Sequence, residues 1–102
     1  MSRRILQINF KFTVSREELD AMVADRAEAI ADVTGLQWKI WIINDEEHES
    51  GGLYLFADEE SVDNYINGPL INGLKNSPAI SDISIKKFAS LETVTAITRG
   101  PV

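Results

Sequence analysis

The stretch LQWKIWIINDEEHESGGLYLF, residues 36–56, decides the reading of this chain. Two apolar runs flank an acidic loop, and the second is entered through Gly51 and Gly52, the pattern of a β-hairpin with a longer loop. Side chains on a strand alternate between faces, so Trp38 and Trp41 project from opposite sides of one regular strand. Both sides of the hairpin are apolar. Trp38, Ile40 and Ile42 alternate with Trp41 and Ile43, and Leu53 and Leu55 alternate with Tyr54 and Phe56. Helices packed on one side of a sheet leave the other side bare, and a bare apolar face marks an association site. A second copy packed sheet on sheet would cover it, which predicts a homodimer.

Outward from the hairpin, the flanking segments supply a compact α+β order. In the opening run, Leu6, Ile8, Phe10 and Phe12 share one strand face, and Ile5, Gln7, Asn9 and Lys11 the other. Ser15-Arg16-Glu17-Glu18 is a capping box and starts a helix expected to run to about residue 33, with Leu19, Met22, Val23, Ala27, Ile30 and Val33 as its apolar stripe. Gly35 ends it, and strands over 37–43 and 53–57 follow. Asp58 caps a second helix over 59–67 with Val62, Tyr65 and Ile66 inward; Pro69 then opens a separate helical piece over 70–75. A fourth strand is expected over 80–88. The order βαββαβ predicts a ferredoxin-like domain: one antiparallel four-stranded sheet with two helices on one face. One domain spans 1–102, and its tail, 90–102, carries Leu91, Val94 and Ile97 as a possible arm onto a partner.

Composition narrows the functional classes. The 102 residues carry a formal charge of -6 and no cysteine, which removes thiolate nucleophiles, disulfides and cysteine-based metal sites. An acidic chain is a poor match for nucleic-acid phosphate. The βαββαβ order and GGLYLF resemble an RNA-recognition strand only superficially, because the preceding loop is acidic. Gly51-Gly52 lacks the Gly-Lys-Ser/Thr ending of a phosphate loop, and no serine lies in a Gly-x-Ser-x-Gly elbow. No apolar run approaches the ~20 residues of a membrane span, and MSRRILQINF is not a signal peptide, so a cytoplasmic location and no membrane partner are expected.

Several residues remain as chemical candidates. His48, the only histidine, lies between Glu47 and Glu49, which favour its charged form; it is either a general base or a residue that shapes the hairpin loop. One histidine among scattered carboxylates has no metal-ligand spacing, so no metal is expected. Asn9 asks for a reason, since asparagine is disfavoured in strands. Trp38, Trp41, Tyr54, Phe56 and Tyr65 are candidate walls of a small-molecule pocket, with core packing as the plain alternative. Gln7 and Lys39 are further polar groups near it, Lys39 reading equally well as an edge residue with its amine in water.

WKIW at 38–41 and HESGGLYLF at 48–56, with RILQINFKF upstream and ADEESVDNY downstream, resemble the YdhR-type monooxygenase family of the dimeric α/β-barrel superfamily. Asn67-Gly68-Pro69 and the tail after Ala89 depart from that pattern. The resemblance implies a dimeric α/β barrel and oxidation of a small electron-rich, quinol-like or polyketide-like aromatic by dioxygen without a cofactor. Alternatives on the same fold are a non-catalytic dimeric ligand-binding protein, an isomerase or cyclase, or a haem-degrading enzyme. Haem is the weaker fit because neither helix carries a histidine.

Overall fold

The computed structural model describes residues 3–102. In chain order the elements are β1 (Arg4–Phe12), α1 (Arg16–Ala31), β2 (Leu36–Asn44), β3 (Glu49–Phe56), α2 (Glu59–Ile66), α3 (Pro69–Lys75), β4 (Ile80–Phe88) and α4 (Glu92–Ile97). The strands form one antiparallel sheet in the order β2-β3-β1-β4, the ferredoxin-like arrangement with α1, α2 and α3 on one face.

Local chemistry explains the element ends. The Ser15 hydroxyl accepts from the Glu18 amide and the Asp58 carboxylate from the Ser61 amide, so two helices start on side-chain caps. Pro69 opens α3, whose first turn needs no amide donor there. Gly35 follows α1 with φ 86°, a left-handed turn, and a side chain there would also strike Ser61.

Register then fixes the two faces of the sheet. Toward the helices, Leu6, Tyr54 and Lys39 form one cross-strand row and Ile8, Gly52 and Trp41 the next. Away from them lie Ile5, Leu55 and Trp38, then Gln7, Leu53 and Ile40. The two tryptophans therefore occupy opposite faces, as their spacing predicts. Gln37 is the extra residue of a bulge between the Leu36 and Trp38 pairings, and it lets Leu36 join the core while Trp38 faces outward. The core between sheet and helices is built on Leu6, Ile8, Leu19, Phe56, Val62 and Ile71, all nearly inaccessible to water.

The larger differences from the sequence reading lie at β3, α1 and the tail. β3 begins at Glu49 rather than residue 53, because Gly51 and Gly52 pair inside the sheet instead of leading into it. A Cβ on Gly51 would collide with the Ile8 carbonyl, so the glycine permits a close approach of two strands. α1 stops at Ala31 with Asp32 as its cap. Residues after Ser90 form α4, and the chain then returns to the far edge of the sheet, where the Trp38 indole N–H donates to the Pro101 carbonyl at 3.0 Å. Among the described residues, no helix is long and apolar enough to cross a membrane.

Candidate functional site

The inner face of the hairpin and helices α1, α2 and α3 enclose a narrow cleft. Trp41 and Lys39 come from edge strand β2, Tyr54 from β3, Tyr65 from α2 and Arg26 from α1. Its free space is about 30 Å³, the room of roughly one water molecule. Lys39, Trp41 and Ile30 also line an external groove of about 210 Å³ on the other side. The Lys39 and Trp41 side chains thus line both the tight inner cleft and the open groove.

The two tyrosine hydroxyls lie 3.0 Å apart and hydrogen-bond to each other in the buried interior. Burial raises the Tyr54 pKa, and the neighbouring Tyr65 raises it further; burial likewise raises Tyr65. Both are therefore neutral phenols at physiological pH, able to donate a hydrogen bond but unsuited to act as phenolate bases. Phe56 stacks behind Tyr54 with ring centroids 6.0 Å apart and belongs to the core that holds the tyrosine in place.

The Lys39 Nζ lies 3.2 Å from the Trp41 ring centroid and 4.5 Å from that of Tyr54. Burial lowers its pKa to about 7, with the Arg26 charge acting in the same direction. The electron-rich ring faces pull the other way, since they favour the cation. Arg26 is anchored by donation from its guanidinium to the Leu70 carbonyl, which ties α1 to α3 beside the cleft. Gly52 lies beneath the lysine: a Cβ there would strike Lys39 Cε, so the missing side chain makes room for the amine.

Trp41, Tyr54 and Tyr65 are thus brought together in one cleft, with Phe56 behind them. Trp38 and Asn9 lie on the opposite face, where Asn9 Oδ1 accepts from Gln7 Nε2 at 2.9 Å. His48 occupies the exposed β2–β3 turn with φ 50°, its ring edge-on to Phe12 at 5.3 Å. The structure does not bring Asn9 or His48 into the cleft with the tyrosines. Among the described residues, no three His, Cys, Asp or Glu side chains gather in a metal-binding group.

Arg26 escaped the sequence reading, although its signal was present: it falls on the apolar stripe of α1, between Met22 and Ile30 at helical spacing. A cation on a buried stripe is either anchored or functional. Lys39 carried the same signal, a charge with the inward parity of Trp41.

Solved structures of similar fold include protein NE2512 from Nitrosomonas europaea, 19% identical, covering 89% of this chain and 91% of that one, with a TM-score of 0.75. SnoaB from Streptomyces nogalater, a cofactor-independent oxygenase, is 14% identical, covers 92% and 98%, and has a TM-score of 0.74. The heme-degrader MhuD from Mycobacterium tuberculosis, solved with two hemes in its active site, is 19% identical, covers 85% and 95%, and has a TM-score of 0.65. At these identities the likeness concerns the fold. No curated protein matches the sequence significantly. The family is shown by the sequence itself: the model described as "Putative mono-oxygenase ydhR" matches residues 5–101, and the chain belongs to that family.

Proposed function

We propose that this protein is a cofactor-independent monooxygenase that oxidises a small electron-rich aromatic, quinol-like or polyketide-like, in the cleft between sheet and helices once Lys39 turns aside and joins it to the external groove. The observation that carries the reading is the convergence of Trp41, Tyr54 and Tyr65 on one interior space, the two tyrosines paired through neutral hydroxyls, in a chain of a mono-oxygenase family. The cofactor-independent oxygenase SnoaB has the same fold and supports it.

The chemistry asks for little more than orientation and electrostatics. A benzylic CH₂ of an anthrone-like substrate gives a proton to solvent, and the carbanion reduces dioxygen, forms a C–O bond and takes a proton back as the hydroperoxide. The resulting hydroperoxide loses its second carbon-bound hydrogen and its O–O bond breaks. One oxygen remains as a carbonyl and the other leaves as water, so CH₂ and O₂ become C=O and H₂O. The Tyr54–Tyr65 pair, in which one hydroxyl donates to the other, supplies its one remaining O–H to a developing oxyanion, while the surrounding apolar side chains exclude water.

The assembly belongs to the same proposal. The sheet face away from the helices exposes Ile40 and Phe88, and α4 exposes Leu91 and Ile97. A homodimer packed on that face would bury them and would brace the edge strand that carries Lys39 and Trp41. Oxygen uptake by chelator-treated protein across a panel of naphthoquinols and anthrones tests the activity. Uptake above the substrate's own autoxidation is expected for at least one class; uptake equal to autoxidation throughout would leave a ligand-binding protein.

A further inference from the structure

The inner cleft is charged against the sign of the whole protein. The chain carries a formal charge of -6, yet the cleft is lined by two cations, Arg26 and Lys39, and by no aspartate or glutamate. Among the described residues, neither cation forms an ion pair with a carboxylate. Two like charges held near each other in a half-buried site are unfavourable unless a counter-charge arrives or one of them sheds its proton, the direction in which burial and Arg26 push Lys39. Arg26 cannot shed its proton, and α3 meets it with a carbonyl oxygen, a partner that leaves its charge uncompensated.

From this juxtaposition we infer that the cleft takes a planar aromatic ligand bearing an anionic oxygen, the oxygen held between Lys39 and Arg26 and the ring laid on the face of Trp41. The Lys39 ammonium now occupies that ring face, and the ligand's own ring would take its place as the amine turns to the oxygen. The same turn would open the cleft toward the external groove that Lys39 also lines, so that binding and entry would use one motion. The groups facing Lys39 are Arg26 from α1, Tyr54 from β3 and, beyond it, Tyr65 from α2; of these only Arg26 is charged at neutral pH. A bound anion therefore meets cations and neutral donors only.

This inference specifies the ligand class of the proposed oxygenase site, and it can be tested without turnover. Naphthoate and its neutral amide, naphthamide, share one ring system, are stable to dioxygen and differ in charge. Their binding to the wild-type protein is read by calorimetry and by quenching of tryptophan fluorescence. Naphthoate is expected to bind about tenfold more tightly or better, the range of a hydrogen bond to a charged group. Lys39→Met should reduce that preference to about twofold or less, while Lys39→Arg should keep most of it. Equal binding of the two probes to wild type, or no binding of naphthoate, would overturn the inference whatever the variants do. So would a preference that survives intact in a folded Lys39→Met protein. Failure of oxygen uptake with naphthoate binding preserved would instead count against the oxygenase reading alone.

Discussion

Lys39 folds back over Trp41, its neighbour two positions along the same strand face, and sets its ammonium 3.2 Å from the centre of the indole. The contact closes the cleft at its strand edge with a basic group. It also makes the amine's protonation a property of the fold.

Lys39 is expected to give stability a distinctive pH dependence. Its folded pKa lies at about 7, below the ordinary 10.5, so between those values the unfolded chain holds more protons than the folded one. By linkage, stability then rises with pH across that window and the benefit is absent below it. Compared with Lys39→Met in urea denaturation, wild type should gain ~1–2 kcal/mol on going from about pH 6.5 to about pH 9.5, a value discounted for solvent and for the opposing pull of the rings. Parallel pH profiles for the two proteins would show that the amine is not desolvated.

The two adjacent glycines should behave differently. Gly51→Ala drives a methyl into the Ile8 carbonyl, which is backbone and cannot yield, and should destabilise by ~3 kcal/mol or more. Gly52→Ala meets chiefly the flexible end of Lys39, with the buried Tyr54 ring next at 3.3 Å, so the fold should lose ~1–2 kcal/mol, less than at Gly51, while the lysine is displaced. Denaturation of both variants, with naphthoate titration of the second, checks the contrast.

How far these residues were legible in the sequence follows from what periodicity can carry. The alternation in β1, the parity of Trp38 and Trp41 and the caps at Ser15 and Asp58 all survive into the structure because each depends on neighbours in sequence. Gly51 and Gly52 read as a strand entry where backbones approach closely, and the close approach is found, but the residues approached, Ile8 and Lys39, are remote along the chain and could not be named from it. Tyr54 and Tyr65 were candidates as separate aromatics, but their hydroxyl pairing is set by how α2 lies across β3. Asn9 and His48 drew interest as residue types, and type says nothing of which face or turn they occupy.

The buried tyrosine pair should show strong non-additivity. Tyr54→Phe leaves the Tyr65 hydroxyl without its partner, and the reverse change does the same, so each single variant should be destabilised by ~1–3 kcal/mol. The double change to phenylalanine removes both polar groups and should be destabilised by clearly less than the sum. A double-mutant cycle by denaturation measures the coupling; additive losses would mean that water replaces the missing partner.

Assembly has its own signature. Ile40 is 48% exposed at the centre of edge strand β2 on the open face, so Ile40→Asp should shift a homodimer to monomer while leaving the monomer fold and the core intact. Light scattering on both proteins at tens of micromolar, a concentration well above the ~1 μM Kd of a modest interface, reads the change. A wild-type monomer would remove the dimer from the account.

The central claim is tested most directly by turnover under isotopically heavy dioxygen with the substrate that gives the fastest oxygen uptake. The account predicts a product carrying one heavy oxygen atom, with the other recovered as water and with the label absent when the heavy isotope is supplied only in the solvent. A product with no heavy oxygen, with two, or formed no faster than without protein would contradict it.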